Sequence, residues 1–419
     1  MDNLTHTLVG VLVGETVART TAADPNGIDA QTRRNIFVTL MAIGSNVPDL
    51  DFIPSRLTDS KLDYLLNHRG HTHTIIGAIL LGVLLLAACE VWCRWRHQRL
   101  SARDRIQFGG IALLAGLLHL ALDFTNSYGV HPFWPLDNRW YYGDAVFIVE
   151  PAFWAVCSPL VFLLRTKPAK LFVALALVIG VVLSFSTGMV PPVFAGLLVG
   201  LTLAMLAIGK LAPPRVALWT SISAWIAING VFLASSQAAA RQARSIASES
   251  YPDHVLLDHV LTPLPLNPLC WQLILVQADD SSWQVRRALL SLAPRVLPAQ
   301  RCPTRSAAEE TTAPMTPITL PSTASIAWQD EIATSRSLLA QWVDKDCNAA
   351  AFMRFARAPW LARLDARWVL GDARFDHEPG LSFAEIELGN PQARCLRRIP
   401  PWTAPLDARM QVVGEKPEE

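Results

Sequence analysis

The chain of 419 residues is 51% hydrophobic and 17% charged, where soluble domains carry about 25% charged residues, and its mean hydropathy is positive. Thirty-six Lys and Arg against 35 Asp and Glu leave a formal charge of +1, so no basic field attracts nucleic acid and no acidic tail is present. Twenty-two Gly and 29 Pro without a period, with 14 Trp, exclude fibrous and disordered classes and leave a membrane protein with a soluble appendage.

Taken in chain order, Leu4–Ala18 and Ile36–Val47 come first; they are short or carry Glu15, and stay open between spanning, re-entrant and packed on the bundle. Thr74–Cys93 and Gly109–Phe124 are apolar runs near the ~20 residues that cross a ~30 Å hydrocarbon core as a helix. From Pro151 to Ser248 there is no Asp or Glu, and the apolar runs Val146–Leu164, Leu171–Thr187, Val190–Gly209 and Val216–Ser235 read as four more spans. Arg94, Arg96, Arg99, Arg103 and Arg105 follow the Thr74–Cys93 span; Arg165, Lys167 and Lys170 follow Val146–Leu164; Lys210 and Arg215 follow Val190–Gly209. The alternate loops are nearly free of such residues, Thr125–Ala145 holding only Arg139. The positive-inside rule makes the basic loops cytoplasmic and puts His68–His73, His119–Asp123 and the tail on the opposite side. Arg19, Arg33 and Arg34 join the cytoplasmic set if both N-terminal segments cross. Met1–Leu4 lacks the basic region of a cleavable signal peptide.

After Ser235 the composition is that of a soluble domain. Cys270–Gln277, Ala366–Leu370 and Phe383–Leu388 read as strands, while Ile332–Val343 and Ala349–Ala358 have helical spacing. Proline clusters at Pro263–Pro268 and Pro314–Pro321 mark loops, and Ser306–Ser325 is expected to be the least ordered part. Cys89, Cys93 and Cys157 fall in the membrane; Cys270, Cys302, Cys347 and Cys395 fall in the external tail, where two disulfides form in any of three pairings. The expected fold is mainly α: a polytopic helical membrane domain over residues 1–150 with a metal site at its outer face, further transmembrane helices over 151–236, and a small soluble, extracytoplasmic α+β domain over 237–419.

Of the ten His, seven lie in the first 150 residues, and all of those but His97 are expected on the outer side. The polar constellation is His6, then Asp49 and Asp51 in PDLD, then His68, His71 and His73 in HRGHTH, then His119 and Asp123 in HLALD. Imidazoles and carboxylates are the usual ligands of zinc and related ions, and ionisable groups at membrane depth are costly unless paired or ligating. His119 and Asp123 stand four apart and stack on one helix face, and Pro48 disfavours helix at Val47, leaving both aspartates on a turn. Each piece has a plainer explanation. His6 can be a surface or capping residue, the aspartates can cap the next segment, HRGHTH can be a polar helix start, and His119 with Asp123 can be one buried pair. Four such clusters on one face favour a shared metal centre. His97, in a basic loop, serves no role.

These pieces resemble the membrane-bound metal-dependent hydrolases of the YdjM type, also described as LexA-binding inner-membrane hydrolases. The similarity rests on THTLVG, PDLD, HRGHTHT and HLALDFTNSYGVHPFWPLD across residues 1–150, with looser likeness in TPLPLNPLCWQ and WVLGDARF of the tail. The resemblance implies an inner (cytoplasmic) membrane location and a divalent metal ion, zinc foremost, held by His6, Asp49, Asp51, His68, His73, His119 and Asp123. His71 and His131 fall on variable positions and rank lower; Glu150 stands where longer members carry an acidic residue, as an additional or supporting ligand. The chemistry expected is metal-assisted hydrolysis, with Asp51 taking the proton of the attacking water and Arg69 binding a phosphate or the developing charge. The lipid bilayer is the expected partner and a lipid or other phosphoester the expected substrate, with no nucleic acid. Two competing readings are a metal or proton transporter or sensor, and a membrane scaffold with a structural polar cluster. No phosphate loop or serine-hydrolase elbow occurs.

Overall fold

A computed structural model describes residues 1–25, 27–58, 60–304, 314–364, 366–375, 381, 383–390 and 394–406. The N-terminal helix α1 (Asn3–Thr20) is capped by Asp2, whose carboxylate accepts from Thr5 N, and α2 (Ala30–Gly44) is capped by Asp29. The two pack antiparallel through Leu8, Leu12, Phe37 and Met41. Gly10 permits the close approach, since a Cβ there would lie 2.8 Å from Met41 O. Glu15, which made a spanning assignment doubtful, is buried and paired with Arg34 at 2.6 Å and Arg19 at 3.1 Å. After α2 the chain bends by 42° into a short 3-10 segment, Val47–Asp51, that runs on into α3 (Phe52–Thr58), and α4 (Lys61–Asn67) follows.

Five helices among the described residues are long and apolar enough to cross a membrane: α5 (Ile75–Trp95), α6 (Ala102–Phe124), α9 (Lys167–Ser186), α10 (Pro192–Leu211) and α11 (Pro214–Ser250). Counting the bent pair of α2 and Val47–Ser55 as one makes six. The span expected at Val146–Leu164 is not one helix. It is broken into α7 (Pro151–Val156) and α8 (Leu160–Leu163), and every side chain from Pro151 to Leu160 is buried. Pro159 lacks an N–H, and the run is apolar because it fills the protein interior rather than facing lipid. The segment still travels the length of α1: Asp2 N donates to Ile148 O at one end, and Arg19 and Arg34 both donate to Leu163 O at the other.

That antiparallel arrangement gives the bundle two chemically different ends. Arg33 bonds Gln107, Arg215 donates to Arg19 O, and the basic loops gather with Arg19 and Arg34. At the opposite end lie Asp2, Asp49, Asp123 and Ile148, and there Ser236 donates to Asp144 O. The boundary expected at residues 236–237 falls inside α11, whose 37 residues, at 1.5 Å each, continue beyond the bundle to Ser250. Its small residues Ala239, Ala240, Ala243 and Ala247 let a sheet close on it through Leu261, Trp271 and Leu273.

The C-terminal part is α+β. Strands β1 (Val255–Leu264), β2 (Asn267–Ala278), β3 (Ser282–Ser291), β4 (Thr316–Pro317) and β5 (Ile326–Ser335) form an antiparallel sheet in the order β1-β2-β3-β5-β4. The helix expected over Ile332–Val343 starts only at Arg336: Ile332–Ser335 finish β5, and Ser335 caps α12 (Arg336–Lys345). Pairing with β3 overrides the local spacing at those four residues. The helix expected over Ala349–Ala358 shortens to α13 (Cys347–Phe352). A second sheet joins β6 (Pro359–Leu364), β7 (Arg367–Asp372) and β8 (Glu385–Leu388), the last two at the expected places. The pairings left open resolve as Cys270–Cys302 and Cys347–Cys395, with Cys89, Cys93 and Cys157 free. Of Ser306–Ser325, residues up to 313 lie outside the described set; the rest carries β4.

Candidate metal centre

Four segments end at the same level of the bundle. α6 presents His119 and Asp123 one turn apart, the Val47–Asp51 turn presents Asp49 and Asp51, the loop between α4 and α5 supplies His68 and His73, and α1 brings His6 alongside. The loop has a demanding backbone. Arg69 takes φ 59°, a left-handed conformation that costs a non-glycine residue about 1–2 kcal/mol, and its N–H donates to Asp51 Oδ2 at 3.0 Å. At the next position a Cβ would lie 2.7 Å from Asn67 O and 3.2 Å from the Trp402 ring, so Gly70 is required.

The two central imidazoles have defined tautomers. His119 Nδ1 is 2.7 Å from Ser45 O, and a carbonyl only accepts, so Nδ1 carries the proton and Nε2 presents its lone pair. His73 Nδ1 faces Asp51 Oδ2 at 3.2 Å and Thr72 Oγ1 at 3.0 Å, which directs Nε2 the same way. The two Nε2 atoms are 2.9 Å apart. Asp49 Oδ1 lies 3.3 Å from His73 Nε2 and 3.5 Å from His119 Nε2, and Asp123 Oδ2 lies at 3.2 and 3.4 Å. One donor atom from each of Asp49, His73, His119 and Asp123 thus falls within 4.8 Å of all the others, with all four residues buried.

The donor set suits a divalent cation on three counts. Both imidazoles have an acceptor on Nδ1, the arrangement that fixes a metal-binding histidine. Asp123 Oδ2 is buried and, although ion-paired with Arg69 Nε at 3.1 Å, accepts no well-directed hydrogen bond. The carboxylates of Asp49, Asp51 and Asp123 face one guanidinium, Arg69, and the Met1 amine, so the buried anions outnumber these two cations by one. Burial opposes a charge on His73, yet its bonds to Asp123, Asp49 and Asp51 outweigh burial and push its pKa up to about 10. A proton on His73 Nε2 answers the positive charge that the carboxylates demand, and a divalent cation would have to displace it to reach the lone pair.

The remaining expected residues stand around this four-residue core. His6 Nε2 is 3.2 Å from the other oxygen of Asp123, and its ring stacks on His119 at 4.0 Å; the Met1 amine is set against the same Asp123 oxygen. Asp51 is committed to four donors: His68 Nδ1 at 2.9 Å on Oδ1, with Arg69 N, Thr72 Oγ1 and His73 Nδ1 on Oδ2. His68 therefore stands one residue removed from the core, stacked on Tyr64 at 4.8 Å. Arg69 pairs with Asp123 Oδ2 at 3.1 Å, donates to Asn126 Oδ1 at 2.8 Å and lies over the Tyr128 ring.

His71 packs edge-on against Trp134. His131 stacks on Trp402 at 3.6 Å and donates from Nδ1 to Arg69 O; burial pulls its pKa down to about 3. Glu150 is buried outside the core, where it accepts from Ala152 N and Leu266 N. His97 lies in the loop between α5 and α6, at the basic end. Sequence reasoning missed Ser45, whose contribution is a backbone carbonyl. It also missed Asn126, Tyr128 and Trp402, which carry no spacing signal.

A polytopic helical membrane protein with a buried carboxylate–imidazole cluster able to hold a metal ion is the class that this fold and site define. The family model of the YdjM inner membrane protein matches residues 1–191, which contain the whole cluster, so this part of the chain is similar to that family. The chain is also 28% identical over 141 residues to YfhP of Bacillus subtilis (strain 168), an uncharacterized protein; the match covers 33% of this chain and 39% of that relative's length. No solved structure matches.

Proposed function

We propose that the protein is a membrane-bound metal-dependent hydrolase, with Asp49, His73, His119 and Asp123 holding a divalent ion, zinc foremost, and a lipid-linked or other phosphoester as substrate. The observation that carries this reading is the convergence of two Nε2 atoms of fixed tautomer with two carboxylate oxygens inside 4.8 Å. A divalent ion bound there lowers the pKa of water and polarises a phosphoryl oxygen. The chain's own residues do the rest. Asp51 orients His73 and His68, Arg69 balances the charge of Asp123, and His6 braces His119 by stacking.

The core is most open on one side. Asp49 is 12% and His68 14% exposed in their side chains, whereas His73, His119 and Asp123 are at 0%. Leu50 and Ile53, beside Asp49 in the chain, are half exposed, an apolar rim suited to a substrate anchored in lipid. The basic loops occupy the opposite end of the bundle, so by the positive-inside rule the site and the C-terminal domain face away from the cytoplasm. A transport path is disfavoured because Pro151 to Ser248, which includes α9 and α10, has no acidic or His residue.

Elemental analysis of detergent-purified protein tests the reading. The wild type and His97→Ala should carry the ion, and His73→Ala and Asp123→Ala should not. Metal-restored wild type should then hydrolyse a generic phosphodiester or vesicle phospholipid. Equal metal content in all four proteins would refute the metal centre, and metal without turnover would favour the sensor reading.

A further inference from the structure

The C-terminal domain carries a cleft of about 850 Å³ lined in part by Trp402, and none of the metal-centre side chains lines it. Its volume lies within the ~300–1,000 Å³ of small-molecule sites. Arg336 and Ser337, the first turn of α12, form part of the wall, and Arg354 forms another part. Arg354 donates to Pro400 O at 2.9 Å and forms no ion pair among the described residues. Arg336 donates to Asp279 O at 3.0 Å. Asp344 is the one acidic side chain in the lining, against two guanidinium groups. The helix start adds partial positive charge to the same wall.

Val343, Met353, Trp283 and Trp402 give the cleft an apolar and aromatic part beside its polar wall. The indole N–H of Trp283 is itself buried and without a hydrogen-bond partner, so it is the apolar ring of Trp283 that lines the cleft.

We infer that this cleft binds an amphiphilic anion, a phosphate or carboxylate head on a short apolar body, with the head at Arg336 and Arg354 and the body along Val343, Met353 and the two indoles. Guanidinium groups recognise such heads through paired N–H donors, and the apolar wall adds about 25 cal/mol for each Å² of ligand surface covered. The inference is independent of the metal centre and stands whether or not the protein is a hydrolase.

Calorimetric titration of the full chain in lipid nanodiscs tests it, with hexyl phosphate and hexanoate as probes and with hexanol and inorganic phosphate as controls. Hexyl phosphate or hexanoate should saturate a single site, with hexanol giving no saturation and inorganic phosphate binding at least tenfold more weakly. Arg354→Gln should weaken hexyl phosphate at least tenfold. Because Arg354 also holds Pro400, Val343→Trp serves as the second variant: it fills the cleft without touching either arginine and should weaken binding as much. Tryptophan emission should change on binding in the wild type and change less in Trp283→Phe. Equal binding by wild type and Val343→Trp, or inorganic phosphate binding as tightly as hexyl phosphate, would overturn the assignment.

Discussion

Replacing Asp51 by Asn separates ligation from orientation. Both oxygens of Asp51 are spent on four donors, and its link to the core runs through His73 Nδ1 at 3.2 Å. Asn keeps the shape but loses the charge, and its amide nitrogen must face at least one of those donors. His73 then loses the acceptor that directs Nε2, while Asp49, His119 and Asp123 keep their places. Losing such a partner costs about 10–100-fold in metal affinity, or ~1.4–2.7 kcal/mol. Loss of His73 itself removes one of four donors and should abolish binding at the same metal concentration. Competition against a chromophoric zinc chelator, on detergent-purified protein, measures both. Wild-type affinity in Asp51→Asn would refute the orienting role. A loss as complete as in His73→Ala would refute it from the other side, by making Asp51 a direct ligand.

Arg357 is buried between two carboxylates, bonded to both oxygens of Asp144 at 2.8 Å and to Asp258 at 2.8 Å. Arg357→Ala strands those charges and should cost about 3–5 kcal/mol, read as a fall in thermal midpoint; an unchanged midpoint would show the pair to be solvated. His131 has a folded pKa of about 3 against 6.5 in the unfolded chain, so between these values the unfolded state binds more protons. Its contribution is complete above pH 6.5 and should fall by roughly 2 kcal/mol by pH 5, a slope that His131→Phe should remove in pH-dependent melting. A reporter fused after Arg99 should read cytoplasmic and one after Ala240 external; both on one side would overturn the orientation.

What the sequence reveals follows from how local each signal is. α5 and α6 are legible because a lipid-facing helix must be apolar over its whole length, and PDLD, HRGHTH and HLALD are legible because ionisable groups beside such helices are rare. Val146–Leu164 misleads because a segment buried in protein and one facing lipid have the same composition; only the burial of Pro151–Leu160 distinguishes them. Spacing likewise could not rank Asp49 above Asp51. They sit two apart on one 3-10 turn, and their difference lies in which donors the loop from His68 to His73 happens to bring to each. The Arg357 lock has no local signature at all, since its partner Asp144 is 213 residues away.

The tail is part of the site's construction. Loops around the cluster leave backbone carbonyls that neither helix nor sheet satisfies, and water is scarce at a buried site. Residues from the second half of the chain supply the donors: Trp402 to Leu66 O at 2.7 Å, Arg374 to Ser127 O at 2.8 Å, Thr403 N to Asn138 O at 3.0 Å and Ser236 to Asp144 O at 2.8 Å. Each such carbonyl left unpaired would cost about 1–3 kcal/mol. Three of these donors hold the loop that follows α6, while Trp402 holds the end of α4 that leads into the left-handed Arg69, and Arg69 in turn holds Asp123. A fragment ending at residue 191 keeps all four cluster residues, Asp49, His73, His119 and Asp123, yet loses all four donors, so it should bind a divalent ion more weakly than the full chain; equal affinity would refute this dependence on residues beyond the family match.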